Sequence, residues 1–248
     1  MPPGRLTALL IGALLMAAPA TPACAEEGQG LLSWRSSGSL RQRDADAALH
    51  EALKISISSA VQTLSAPDSF APGTPRRIGL PDSLTVLKGD WNAVGRSGAL
   101  ARLEDAMNRA AIAVAAPAEP LLQQSAADLN FYDSVAMVMS GDQAASRFFA
   151  LRTRPAIEQR LKPVVDQALA GAGAFSALAE AATAAGQPSK ASAYRDQVVQ
   201  RTLTGLLDAL FTETGRFESE VRGAPQGRGS PVFERVFSKG PQTARAGG

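Results

Sequence analysis

One cysteine, one histidine and an aromatic content of 5% each remove a class of chemistry. A lone cysteine cannot close an intrachain disulfide, so the core must hold the fold by itself. A transition-metal site without a second His or Cys would have to be built from carboxylates, and no clustered Asp/Glu spacing supports one. Serine acyl transfer with a histidine base would have to use His50, and no G-x-S-x-G elbow is present. Neither sign of charge dominates: 25 basic residues face 23 acidic ones. No basic run interleaves with aromatics, so a nucleic-acid surface is unsupported. "GAGAFSALAEA" (171–181) has two glycines before a helix, but no strand precedes it and no lysine follows, which argues against a phosphate loop. Glu104 and Asp105 are helix neighbours pointing about 100° apart, so they cannot flank one glycosidic bond.

What is present begins with an export pattern. Arg5 precedes an apolar run from Leu6 to Ala18, and the stretch ends in small residues, "TPACAEE". That run is shorter than the about 20 residues a spanning anchor needs. Residues 1–25 read as a signal peptide cleaved before Glu26. The alternative is a lipoprotein anchored at Cys24, although Thr21-Pro22-Ala23 is a poor approach to an acylated cysteine. Cleavage removes Arg5 and leaves a net charge of about +1. Arginine outnumbers lysine 20 to 5 and alanine is abundant, the composition of a GC-rich bacterial genome. The expected destination is the periplasm or beyond.

Residues 26–37 read as a mobile leader, 38–240 as one α-helical domain and 241–248 as a disordered tail. In the first helix Leu49, Leu53, Ile57, Ala60, Val61 and Leu64 share a face. Residues 65–82 carry four prolines and form a loop that packs through Phe70 and Ile78. A short helix from Asp82 or Ser83 ends by Gly89. From Ala99, Leu100, Leu103, Met107, Ala110 and Val114 form a stripe. Pro117 and Pro120 are expected to break and restart that helix, which then continues to Leu129. Asp133 opens a short helix to Met139. Ser140 and Asp142 are expected to cap the next one, whose Ala145, Phe148, Phe149 and Arg152 share a face and which Pro155 and Pro163 kink or restart. Helices over 174–185 and 190–221 follow, the second with Val199, Leu203, Leu206, Leu210, Thr214, Phe217 and Val221 on one stripe. Glu213, Glu218 and Glu220 are expected to solvate it, and Gly205 to mark a close helix–helix contact. Ser230-Pro231 starts a final short helix. With no period-two alternation, the fold is all-α, a helical bundle of roughly seven to nine helices.

Seven strings, in order, resemble those of the bacterial domain-of-unknown-function family 4197: "ALHEALKISISSAV" (48–61), "RIGLPDSL" (77–84), "AMNRAA" (106–111), "GDQAASRFF" (141–149), "LKPVVDQAL" (161–169), "RTLTGLLDALF" (201–211) and "VFERVF" (232–237). The resemblance implies an exported helical protein and carries no activity. The chain departs from the family pattern at Ile112, where a glutamate is usual, at Phe148, where a tyrosine is usual, and at Gln143, where a second acid is usual.

The candidate site residues are Asn108, Arg109 and Asp142. Asp105 and Arg109, four apart with the acid first, suit a surface pair. The apolar residues one turn on, Ile112 and Ala113, suggest instead that Arg109 lies along a covered surface and reaches Asp142. Such an arrangement is a structural clamp or a ligand-binding pair. The expected function is non-enzymatic binding of a protein partner or lipid at the cell envelope, with no cofactor and no metal. The rival is an envelope hydrolase with His50 or a carboxylate as base.

Overall fold

The computed structural model describes residues 40–86 and 98–238. The stretches expected to be a signal peptide, a leader and a tail, together with Cys24, Leu87 and Gly89, lie outside them. The described residues form eight α-helices and no strand. They belong to a unit that starts at Leu40.

Helix α1 (Gln42–Leu64) forms because its apolar residues recur at three- and four-residue steps. Leu49, Leu53, Ile57 and Leu64 are fully buried as a result. The loop that follows seals the core with Phe70 and Ile78, both buried. Helix α2 (Asp82–Val86) is short. Helix α3 (Ala99–Ala127) buries Leu100, Leu103, Met107, Ala110 and Val114. Helix α4 (Ser134–Met139) is capped by Asp133, whose side chain accepts from the Ala136 N–H. Helices α5 (Ala144–Gly171) and α6 (Ala174–Ala184) come next. A 3₁₀ turn (Pro188–Lys190) leads into α7 (Ala191–Gly223). Helix α8 (Pro231–Ser238) ends the described chain.

Helix α7 is the central element, packed against α1, α3 and α5, while α3 also contacts α1, α5 and α6. The stripe expected on α7 is buried except at Phe217, which is partly covered by the Arg216 guanidinium 3.9 Å from its ring. Helix α8 docks by driving Phe233 into a pocket with Ala52 and Val221. Glu51 fixes its entry by accepting from the Ser230 N–H at 2.7 Å and the Ser230 hydroxyl at 2.6 Å.

The expected break at Pro117 and Pro120 does not occur, and no restart occurs at Pro155 or Pro163. Helix α3 runs unbroken through Pro117 and Pro120, and α5 through Pro155 and Pro163. All four prolines are on exposed faces. Each removes one N–H and leaves the carbonyl four residues earlier without its helical donor. On an outer face that carbonyl can turn to water for its hydrogen bond. The inner faces continue through Ala118 and Leu122 in α3, and through Ile157, Leu161 and Val165 in α5.

Candidate functional site

The polar stretch of α3 divides into residues of opposite character. Asn108 is buried, at 4% exposure. Its Oδ1 accepts from the Ile78 N–H at 2.9 Å, and its Nδ2 donates to the Ile78 carbonyl at 2.9 Å and the Glu104 carbonyl at 2.7 Å. The amide thus pairs with both backbone groups of Ile78, as a neighbouring strand would, and fastens the 65–81 loop across the bundle. The Ile78 side chain fits over Gly205, where an added Cβ would lie 2.8 Å from Ile78 Cγ1. Gly205 therefore marks a close contact between a helix and this loop, not between two helices. Three of the strings quoted above, those containing Ile78, Asn108 and Gly205, meet at this one residue.

Arg109 is exposed and donates to the Ala172 carbonyl at 3.1 Å. It pairs neither with Asp142 nor with Asp105. Asp105 instead accepts from Arg77 at 2.7 Å, beside Glu104, which accepts from the same guanidinium at 2.7 Å. The Asp105 hydrogen bond is the main reason that the Arg77 pKa lies above its ordinary value, against partial desolvation; Glu104 adds to it. Asp142 is exposed in the turn before α5 and makes no hydrogen bond or ion pair among the described residues. The expected Arg109–Asp142 clamp does not exist. Arg109 projects where water solvates it, and one carbonyl is partner enough.

A buried clamp does exist, one that the sequence reading assigned to solvent. Glu218 is fully buried, and its Oε1 and Oε2 accept from the N–H groups of Ala145 at 3.2 Å and Ser146 at 2.7 Å. These are orphan donors in the first turn of α5, and a carboxylate there is favoured by the helix dipole. Neither Ser140 nor Asp142 caps that helix; Gln143, at the N-cap position, donates its side chain to Ser219. Arg222, one turn beyond Glu218, donates to it at 2.7 Å and to the Val138 carbonyl at 2.7 Å. Its guanidinium lies 4.8 Å from the Phe237 ring. One ion pair therefore joins α4, α5, α7 and α8. A signal was present, because Leu210, Thr214, Glu218 and Arg222 recur every four residues and prolong the apolar ridge.

Glu213 is also buried, at 6% exposure. It accepts from Arg76 at 2.7 Å and Arg216 at 2.7 Å, and Arg216 also pairs with Glu220. The Glu213 hydrogen bond is the largest cause raising the Arg216 pKa above its ordinary value. Glu220 alone of the three acids is solvated as expected. Beside this chain a recess of about 320 Å³ opens between the 75–78 stretch and α7. Its charged walls are already matched: Arg76 by Glu213, Arg77 by Glu104, Asp208 by Arg154, and Arg201 by the Gly79 carbonyl.

His50 Nδ1 lies 3.0 Å from the Asp46 carbonyl, and Nε2 lies 3.1 Å from the Leu129 carbonyl. A neutral ring donates from only one nitrogen, so one tautomer satisfies one of these carbonyls. The ring meets Phe131 edge-on at 5.0 Å. Its observed contacts tie the chain after α3 to α1. Among the described residues no group of three or more His, Cys, Asp or Glu could hold a metal ion, and no helix is long and apolar enough to cross a membrane.

The outer surface is uneven. The exposed large apolar side chains among the described residues are Tyr132, Met139, Leu151 and Val164, all in the stretch that holds α4 and α5. Phe148 was expected on a buried face with Arg152. It is instead half-covered, packed on Phe131, with the exposed Arg152 6.0 Å from its ring.

The family described as "Protein of unknown function (DUF4197)" matches residues 39–238, and the chain belongs to it. No curated protein and no solved structure matches.

Proposed function

We propose that this DUF4197 member is an exported, non-enzymatic binding protein of the bacterial cell envelope, with the outer face of α4 and α5 as its contact surface. The observation that carries the reading is that the exposed large apolar side chains among the described residues, Tyr132, Met139, Leu151 and Val164, all fall within residues 132–164. Large apolar groups left in water cost free energy, and their concentration in one segment of the chain supports a surface there that meets something else. Three buried polar side chains of the bundle, Asn108, Glu213 and Glu218, are engaged in joining its elements.

Export is supported by the pattern of residues 1–25 and would deliver a chain starting at Glu26. Intact mass of the protein recovered from its host distinguishes this from retention of an acylated Cys24. The binding reading is tested by recovering the tagged mature protein from its native envelope, followed by mass spectrometry of the proteins and lipids that accompany it. Leu151→Asp should abolish the specific recovery while leaving the melting curve unchanged. Equal recovery by the parent and Leu151→Asp would refute this surface, and turnover of a generic ester, phosphate or glycoside substrate would refute the non-enzymatic reading.

A further inference from the structure

We infer that the recess between the 75–78 stretch and α7 binds a short peptide by its free ends, the carboxylate at Arg201 and the ammonium at Asp208. The site stands independently of the contact surface proposed above. The sequence of α7 builds it. Arg201, Gly205, Asp208, Ala209 and Thr212 all line the recess, and at 100° per residue they fall within about 100° of one another, in one row. Gly205 and Ala209, in the middle of the row, carry at most a methyl group, and the space of about 320 Å³ opens beside them. The facing wall is fixed, because Asn108 holds both backbone groups of Ile78. Arg201 and Asp208 thus present opposite charges to one walled space, seven residues or about 10.5 Å apart along the helix axis.

The partners of these two side chains leave bonding capacity unused. Arg201 spends its Nε on the Gly79 carbonyl, and its two terminal nitrogens have no partner among the described residues. A neutral carbonyl leaves the charge uncompensated, and the open fork is the shape that grips a carboxylate with two bonds. Asp208 accepts from Arg154 at Oδ1, 2.6 Å away, whereas Oδ2 accepts from nothing among the described residues. The Thr212 hydroxyl, next in the row, is likewise unused there. Glu213, on the same wall, differs: Arg76 and Arg216 take both of its oxygens. A ligand with one charge of each sign suits this pair, while a dianion would be repelled by Asp208 and Glu213. Reach then separates a peptide from a free amino acid. Arginine and aspartate both lean toward the helix N-terminus, which keeps their spacing near about 10 Å. Three extended residues span at most about 10–11 Å, and a single one only about 3.5 Å. The volume lies at the small end of ligand pockets, which run from about 300 to 1,000 Å³.

The test is isothermal titration calorimetry of the full mature chain with trialanine. Saturable, one-to-one binding is expected. Amidating the probe's carboxylate or acetylating its amine should each weaken binding by about tenfold or more, the worth of one charge-assisted contact. Alanine, too short to reach both ends, should bind as weakly as the blocked probes. Arg201→Gln should weaken trialanine and leave its amide unchanged, since the amide already lacks that contact. Asp208→Asn should weaken trialanine and leave the acetylated probe unchanged. Arg43→Gln, which removes an exposed cation outside the recess, should bind like the parent. Thermal melts establish that each variant is folded, and the blocked probes test the same contacts on the unaltered protein. No binding of trialanine at millimolar concentration would overturn the inference. So would alanine or the blocked probes equalling trialanine, or losses in Arg201→Gln and Asp208→Asn no greater than in Arg43→Gln. Binding of inorganic phosphate that Arg201→Gln abolishes, without binding of trialanine, would make the recess an anion site and remove the peptide.

Discussion

Glu218 and Arg222 face each other at 2.7 Å in a site sealed from water, and between them they hold the start of α5 and the end of α4. Removing one member of a buried pair strands the other, which costs more than removing both. Glu218→Leu should destabilise the fold by about 3–5 kcal/mol, because Arg222 loses its counter-charge and two N–H groups of α5 lose their acceptor. Arg222→Met should cost less, about 2–3 kcal/mol, since the carboxylate keeps those two donors. The double variant should recover at least about half of the Glu218→Leu loss. Urea melts measure all three, and additive losses would contradict the coupling.

Asn108 and Arg109 are sequence neighbours with opposite expected responses. Asn108→Ala removes the acceptor and donors that hold both backbone groups of Ile78, for an expected loss of about 1–3 kcal/mol. Arg109→Ala removes one exposed bond to a carbonyl and should cost less than about 1 kcal/mol. Asn108→Asp separates hydrogen bonding from size, because it keeps the acceptor for the Ile78 N–H and turns a carboxylate oxygen toward the Ile78 carbonyl. It should be no better than alanine. Denaturation midpoints that rank Arg109→Ala as the more damaging change would reverse this assignment.

Gly205→Ala sets two effects against each other. Alanine is favoured in a helix over glycine by about 1 kcal/mol. Here its Cβ would sit 2.8, 3.0 and 3.1 Å from three side-chain carbons of the buried Ile78, and overpacking of this kind costs typically about 1–3 kcal/mol. The clash should win, giving net destabilisation. In an Ile78→Ala background, where those three carbons are gone, the same Gly205→Ala change should become stabilising. A thermal-melt series over the four proteins reads the change of sign, and an unchanged sign would mean that Ile78 does not enforce the glycine.

His50→Ala should loosen the chain after α3, because it loses an edge-on contact with Phe131 and, in the tautomer protonated at Nε2, a bond to the Leu129 carbonyl. The expected cost is about 1–2 kcal/mol, the sum of one hydrogen bond and part of one ring contact. Amide exchange should speed up first in residues 129–133, where Asp133 also begins α4. Faster exchange spread evenly over the bundle would argue against a local tie.

Much of this architecture was legible in the chain itself. The stripe of Leu49, Leu53, Ile57 and Leu64, and that of Leu100, Leu103, Met107 and Val114, are buried as their spacing requires. Helical periodicity is a local property: a residue's face follows from its position in the chain, and apolar faces turn inward whatever they meet. The start of α8 at Pro231 and the cap of α4 at Asp133 are legible for the same reason, since each motif closes within a few residues. Family membership was legible too, because it lies in ordered strings and needs no coordinates.

The tertiary structure decided where polar groups ended up. Whether Glu218 meets water or a helix start depends on residues 145 and 146, more than 70 positions earlier, and nothing local to α7 announces them. Asn108 and Arg109 look alike as polar interruptions, yet a rotation of about 100° puts one against Ile78 and the other in solvent. Proline posed the same problem. Its cost in a helix depends on whether the carbonyl it deprives faces water or core, and only the packing of α3 and α5 places Pro117, Pro120, Pro155 and Pro163 outside. Apolar burial can be read from one helix at a time, because it needs no particular partner. A buried hydrogen bond needs a specific partner at about 3 Å, and only the assembled bundle supplies it.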